Sequence, residues 1–214
     1  INIILYKCTI GRTSFILVTL ILFFALLRKI QFIKLILKTR IFKYLTKICC
    51  YILPTILLIF ILAMTYLYGT NNSIAYKLND LLSNRIEFSY KAFQEYKVTL
   101  FGQNIRWYGW GGVGYDESID LEGYTYNFVD NSYVRLILDC GIIATIVVIT
   151  GYTLLLVKNN KEKNYWKIFI VFIILCLAEI EPCLIDFNSN IFLIWFLPLL
   201  ESKTSKFSEY NNRE

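Results

Sequence analysis

The stretch Ile48–Tyr68, ICCYILPTILLIFILAMTYLY, decides what kind of fold this chain adopts. It contains no charged residue. A transmembrane helix needs about 20 consecutive, mostly apolar residues to cross the hydrocarbon core, and this stretch meets that requirement. Across the 214 residues, 57% are hydrophobic and 18% are charged, which is more apolar and less charged than an ordinary soluble domain. We therefore expect an integral membrane protein.

Further apolar blocks predict additional spans on both sides of this stretch. Val134–Val157 is apolar apart from Arg135 and Asp139, whereas the last block is interrupted by the sequence Ala178–Pro182. The predicted spans are about 8–27, 48–68, 134–157, 166–179 and 187–200, within a single membrane domain, 1–214. The expected fold class is all-α, a polytopic helical bundle in a membrane. Because the chain begins with isoleucine rather than methionine, we expect a fragment that lacks its first spans.

Loop charges predict which side of the membrane each loop faces. Arg28–Lys47 carries many basic residues and no acid, and Lys158–Lys167 is also mostly basic. Cytoplasmic loops carry an excess of Lys and Arg, so both segments are expected inside the cell. Loop 69–133 and the segment Glu179–Asn190 carry more acids than bases and are expected outside. The net charge of +6 then reflects topology, and no pattern indicates nucleic-acid binding.

The first basic segment also has apolar residues at helical spacing. These are Ile30, Ile33, Leu37, Ile41 and Tyr44. The pattern predicts a separate helix that lies on anionic lipid headgroups, or that docks a partner protein.

The extracytoplasmic loop 69–133 is predicted to contain one amphipathic helix. Apolar residues recur at steps of three and four from Leu78 to Phe93, and the helix is expected to end near Tyr96. Asn72 or Asn79 is the candidate N-cap. Arg85 lies at the edge of the apolar stripe. Its side chain either extends along the apolar surface to water or belongs to a functional site. Farther along, the aromatic and glycine-rich segment Trp107–Tyr115 predicts a platform for sugar rings or an anchor at the lipid interface.

A polar cluster runs directly into an apolar segment in Tyr126–Gly141, YNFVDNSYVRLILDCG. Asp130 or Asn131 is expected to cap the outer end of the predicted span. Arg135 and Asp139 are four residues apart and are expected to pair on one helix face. A charge inside a span should face the bundle interior or a wet cavity rather than lipid. Either the cluster is a cap with a structural ion pair, or it forms an outer mouth that holds an anion.

Metal and disulfide chemistry have little support in the sequence. The chain has six cysteines and no histidine, and it lacks the Cys-x-x-Cys spacing of zinc sites. Most cysteines fall in or beside predicted spans, where cysteine acts as a small apolar residue. The acids between Asp116 and Glu122 lack the spacing of a calcium loop. We expect no metal and no cofactor.

Two stretches resemble the Wzy-type polysaccharide polymerases, which are the O-antigen and capsular repeat-unit polymerases of bacteria. They are Leu78–Ile105, LNDLLSNRIEFSYKAFQEYKVTLFGQNI, and Tyr126–Val148, YNFVDNSYVRLILDCGIIATIVV. The similar features are a leucine-rich segment, Ser-x-Arg, an aromatic helix, Leu-Phe-Gly, and Asp-Asn-Ser-Tyr before a span. Thr9–Leu20, TIGRTSFILVTL, adds an Arg-Thr pair at the outer start of a span. The resemblance covers most of 9–200.

The resemblance implies a multi-pass protein of the bacterial inner membrane, with the helical bundle of O-antigen ligase-like (GT-C) glycosyltransferases. It implies metal-independent glycosyl transfer at the outer face of that membrane. A growing glycan on undecaprenyl diphosphate passes to the sugar of a new lipid-linked repeat unit. The expected partners are these lipid-linked glycans and membrane lipid, together with a flippase and a chain-length regulator.

The resemblance also implies roles for single residues. Arg12 and Arg85 match the family pattern and are expected to stabilise the departing lipid diphosphate, since guanidinium groups suit phosphate oxygens. Asp130 is the first choice as base for the acceptor hydroxyl, with Asp139 and Glu181 as alternatives. Further expected substrate contacts are Asn131, Tyr133, Arg135, Asp139 and Gln103, of which Arg135 is inferred from its spacing.

Other function classes stay open on the sequence alone. A lipid-linked oligosaccharide flippase or transporter places charged and broken-helix sites near the bilayer midplane, whereas the charges here collect at the predicted outer rim. The related O-antigen ligases typically carry a histidine in their outer loop, and this chain has none. A purely structural membrane subunit leaves Arg12, Arg85 and Asp139 without a role.

Overall fold

The structure, a computed structural model, describes residues 39–109, 127–184 and 191–196, together with Thr19. The helices are α1 (Arg40–Gly69), α2 (Ser73–Leu81), α3 (Arg85–Glu95), α4 (Ser132–Arg135), a π-helical turn (Leu136–Cys140), α5 (Gly141–Lys161), α6 (Tyr165–Leu177) and a 3-10 helix (Ile191–Phe196). No β-strand occurs in these described ranges, as the predicted all-α class requires. The predicted span 8–27, Arg12 and Trp110–Tyr126 lie outside them.

Two helices of the described part of the chain are long and apolar enough to cross a membrane, by length and composition. The first is α1, whose N-cap Thr39 accepts a hydrogen bond from the Phe42 amide at 3.2 Å. It continues without interruption through the predicted span 48–68. Ile41 and Tyr44 therefore belong to the same helix as the predicted span 48–68, and the other residues of that apolar pattern, Ile30, Ile33 and Leu37, lie outside the described ranges.

The described part of the first basic segment, 39–47, contacts the second basic segment at the start of α6. The rings of Phe42, at the start of α1, and Tyr165, at the start of α6, meet edge to face at 5.9 Å. Helix α6 is apolar but shorter than a full span, and the acidic residues Glu179 and Glu181 follow its other end. Basic and acidic residues therefore lie at opposite ends of α6.

The described part of the segment 69–133 contains two helices where the sequence predicted one. Ser83 and Asn84 adopt positive φ values of 55° and 65°, so the chain leaves the helical path between α2 and α3. The side chain of Asn72 caps α2. The buried side chain of Asn79 accepts a hydrogen bond from the Glu87 amide in the first turn of α3, at 2.9 Å. Asn72 is therefore confirmed as an N-cap, whereas Asn79 lies within α2 and is not the N-cap of α3, which is Asn84.

The second membrane-length segment, Ser132–Lys161, is sharply bent. The Ser132 hydroxyl lies 3.3 Å from the Leu184 amide, and the Tyr152 hydroxyl donates to the Leu184 carbonyl at 2.7 Å. Ordinary bond lengths then hold the Cα atoms of Ser132 and Tyr152 within roughly 19 Å, whereas twenty residues of straight helix rise about 30 Å. The segment Ser132–Cys140, here called the half-helix, therefore leaves the axis of α5 at a sharp angle. The predicted span 134–157 lies within a segment that is long and apolar enough to cross a membrane, but its helix is broken at Gly141.

The loop after α3 supplies hydrogen-bond partners for backbone groups that the bend leaves without helical partners. We call Val98–Gln103 the bridging loop. The amides of Ile142 and Ile143 donate to Thr99 and Leu100 carbonyls at 3.0 and 3.2 Å, and the Gln103 amide donates to the Asp139 carbonyl at 3.1 Å. Backbone groups that leave a regular helix need such internal partners when they are shielded from water.

Two glycines make the close approach at the bend possible. Gly102 in the bridging loop and Gly141 at the bend have φ values of 88° and 84°, which side chains other than glycine rarely adopt. A Cβ atom on Gly102 would overlap the backbone of Asp139 and Cys140. A Cβ atom on Gly141 would overlap the backbone of Gly102 and Leu100. The bend and the bridging loop therefore depend on both glycines.

Candidate active site at the start of the half-helix

Arg85, the first residue of α3, joins three segments that are far apart in the sequence. Its Nε atom lies 3.2 Å from Oδ2 of Asp130, and its Nη2 atom lies 3.5 Å from Oε1 of Glu181. Its Nη1 atom donates to the carbonyl of Ile180. We call Arg85, Asp130 and Glu181 the ionic cluster. The structure thus brings together the predicted arginine, the first-choice base and one of the alternative bases.

The ionic cluster contains two carboxylates for one guanidinium. Burial raises the pKa of Asp130, although Arg85 and Arg135 oppose that rise. Burial also raises the pKa of Glu181; Arg85 opposes this rise and the neighbouring Asp130 adds to it. A carboxylate whose pKa is raised, and which shares one guanidinium with a second carboxylate, accepts a proton more readily than a carboxylate free in water. The cluster is therefore suited to act as a base.

The Asp-Asn-Ser-Tyr motif anchors the half-helix to the turn after α6. We call Ala178–Leu184 the acidic turn. Asn131 accepts from the Tyr133 and Val134 amides at 3.0 Å each, which confirms its predicted role as a helix cap. Its side-chain amide donates to the Glu179 carbonyl at 2.7 Å. The Ser132 hydroxyl donates to the Glu181 carbonyl and accepts from the Cys183 amide.

Asn131 and Tyr133, which the sequence assigned to substrate sugars, are both fully buried. The Tyr133 hydroxyl donates to the Leu175 carbonyl at 2.9 Å, and the polar atoms of Asn131 are bonded to backbone groups. In this structure both side chains position the ionic cluster by fixing the half-helix against α6 and the acidic turn.

Arg135 and Asp139 form the ion pair that their spacing predicted. Arg135 Nε lies 3.3 Å from Asp139 Oδ2. The guanidinium also lies over the rings of Trp107 and Phe128, 5.8 and 5.2 Å from their centroids, and the Trp107 indole donates to Asp139 at 3.0 Å. Spacing within one helix could identify the ion pair, but these two aromatic partners come from distant segments that no local pattern connects.

The side chains of Trp107 and Gln103 are engaged in contacts with other residues of the chain. Trp107 is 5% exposed and packs edge to face against Tyr96 at 5.7 Å, so it forms neither an open sugar platform nor a lipid anchor. The Gln103 side chain donates at 2.8 Å to the carbonyl of Lys97, the residue just before the bridging loop. Gln103 therefore lies at the bend, beside the Asp139 end of the half-helix.

Comparisons with protein-family models, characterised proteins and solved structures find no match for this chain. The resemblance to Wzy-type polymerases therefore depends on the quoted residues alone. Among the residues that the structure describes, no group of three or more Cys, Asp or Glu side chains is placed to hold a metal ion.

Proposed function

We propose that this protein polymerises undecaprenyl-diphosphate-linked repeat units into a surface polysaccharide at the outer face of the bacterial cytoplasmic membrane. The observation that carries the proposal is the ionic cluster, in which α3, the Asp-Asn-Ser-Tyr motif and the acidic turn meet at the Arg85 guanidinium. Arg85 and Asp130 also belong to the two stretches that resemble the polymerases. A bare structural anchor has no need of two partly buried carboxylates around one arginine.

The proposed reaction is a metal-independent displacement at a sugar carbon. A carboxylate of the ionic cluster takes the proton of the acceptor hydroxyl, and the acceptor oxygen forms a bond to the anomeric carbon of the donor glycan. The bond from that carbon to the lipid diphosphate breaks, and the diphosphate leaves with the electron pair. A guanidinium stabilises the negative charge that accumulates on it.

The geometry favours Glu181 over Asp130 as the base. Glu181 is the more exposed carboxylate, with 36% of its side chain exposed against 23% for Asp130, and it has the longer contact with Arg85. A diphosphate oxygen can therefore replace Glu181 at the guanidinium while Asp130 keeps Arg85 oriented. Substrate binding would then release Glu181 as a free base next to the acceptor.

Gene deletion tests the proposal directly, because each candidate function leaves a different product. Loss of a polymerase leaves single repeat units on surface lipid. Loss of a flippase traps lipid-linked units inside the cell, and loss of a ligase leaves long unattached chains. We expect single surface repeat units, and either other product contradicts the proposal.

A transporter is the second candidate, and the bent segment Ser132–Lys161 is the observation that favours it. Transporters commonly use broken helices to form ligand sites. Here, however, the amides next to the bend donate to the bridging loop and are not open to a ligand. This difference favours the polymerase.

A further inference from the structure

Glu179, in the acidic turn, is a partly buried carboxyl group that the proposed reaction does not use. Its Oε2 atom lies 3.3 Å from the side-chain nitrogen of Asn131. Its Oε1 atom is buried and has no hydrogen-bond partner among the described residues. The same Asn131 nitrogen also donates to the Glu179 backbone carbonyl. The carboxyl group is therefore held at the contact between the acidic turn and the half-helix.

Among the described residues, Glu179 has no ion pair with a Lys or Arg side chain that would compensate an ionised carboxylate. The titratable groups coupled electrostatically to Glu179 are Cys176 on α6 and Tyr133 on the half-helix, and Tyr133 is also coupled to Tyr152 and Cys183. None of these side chains is cationic. Within the described ranges, no Lys or Arg forms an ion pair with Glu179. The arginine of the ionic cluster contacts Asp130 and Glu181 instead.

We propose that Glu179 is a proton-dependent latch that holds the acidic turn against the half-helix when protonated and releases it when ionised. Burying the ionised Glu179 carboxylate without a cationic partner costs free energy, so the ionised side chain moves to water. That movement breaks its contact with Asn131 and loosens the turn that Ser132 holds. Glu181 lies in the same turn, so release also separates it from Arg85.

The latch operates near neutral pH. Burial raises the pKa of Glu179 to about 7, and the hydrogen bond from Asn131 only partly opposes this. The outer face of a bacterial membrane is exposed to the pH of the surroundings, so the latch would couple the ionic cluster to external acidity.

Cys183 reports the state of the latch, because it is 2% exposed in the closed turn. The purified full chain in lipid nanodiscs is treated with N-ethylmaleimide at pH 6.0 and pH 8.5, and modification of Cys183 is read by peptide mass spectrometry. Glu179→Gln mimics the protonated acid, whereas Glu179→Ala removes the latch. Higher pH ionises the thiol and accelerates labelling equally in all three proteins. The ratio of labelling rates between two of the proteins at one pH therefore reports only the opening of the acidic turn.

We expect the wild type to match Glu179→Gln at pH 6.0 and to label about tenfold faster than it at pH 8.5, because the turn opens locally. Glu179→Ala should label faster than Glu179→Gln at both pH values. The exposed control Glu95→Gln should follow the wild type. A ratio of wild type to Glu179→Gln that is the same at both pH values overturns the latch. The readout needs no enzymatic activity, so it is independent of the function proposed above.

Discussion

Gly102 and Gly141 lie back to back where the bridging loop meets the bend, and neither position has room for a Cβ atom. Each also has a positive φ, which costs other residues about 1–2 kcal/mol before any overlap is counted. The contact joins the bridging loop to α5 and fixes the angle between α5 and the half-helix. The ionic cluster at the other end of the half-helix depends on that angle.

Replacing either glycine by alanine should therefore destabilise the protein by at least about 2 kcal/mol. Thermal unfolding of the purified protein in detergent measures the loss. Gly151→Ala is a matched control, because Gly151 lies within α5 and its added Cβ would meet only the ring of Phe196, at 3.1 Å, which can shift. Equal losses at Gly141 and Gly151 would contradict the proposed role of the bend.

Glu181→Gln should lower the polymerisation rate by about 10²-fold or more, because the amide cannot accept the proton of the acceptor hydroxyl. Asp130→Asn should have a smaller effect on rate, since Asp130 orients Arg85. Chain-length profiles of polysaccharide from cells that express equal amounts of each variant make the comparison. Glu95→Gln, an exposed carboxylate in α3, is the control. A larger loss for Asp130→Asn than for Glu181→Gln would assign the base to Asp130 instead.

Thermal stability should fall as pH rises, with Glu179 as one cause. Its folded-state pKa of about 7 lies above the ordinary value of 4.5. Between these values the folded protein keeps a proton that the unfolded chain releases, so the stabilisation is complete below about pH 4.5 and is lost as pH rises through 7. The difference in Tm between wild type and Glu179→Gln measured from pH 4 to pH 8 isolates this group. A constant difference over that range would mean that Glu179 keeps its ordinary pKa.

Treatment of membranes with EDTA should leave polymerisation within about twofold of the untreated rate, because arginines and carboxylates supply the proposed catalysis. The assay follows chain growth on lipid-linked repeat units with and without the chelator. Loss of chain growth that added Mg²⁺ restores would contradict the metal-independent mechanism.

Local patterns in the sequence predicted the helices, the Asn131 cap and the pair of Arg135 and Asp139, because each depends on neighbouring residues. The break between α2 and α3 was missed because apolar spacing continues through Ser83 and Asn84, whose positive φ values leave no periodic signal. The bend at Gly141 was missed for a different reason. A glycine in an apolar helix is tolerated, and only the distant bridging loop turns it into a bend.

Part of the candidate site was also predictable. Arg85 and Asp130 were identified individually, from the resemblance and from the polar cluster before a span. Their contact with Glu181 depends on tertiary packing of three segments, which no local pattern encodes. The sequence did not predict a distinct role for Glu179, since an acidic residue in a charged turn is expected to be solvated. Its significance comes from its contact with Asn131 and from its buried Oε1 atom.

Lipid-linked glycans extracted from cells that carry Arg85→Ala provide the most direct measurement of the central claim. The outer guanidinium of Arg85 is proposed to receive the lipid diphosphate, so this variant should accumulate single repeat units, as should Arg12→Ala. Protein level should stay unchanged, and the exposed control Arg106→Ala should give wild-type chains. Wild-type chain lengths in Arg85→Ala, with the protein present in the membrane, would contradict the account.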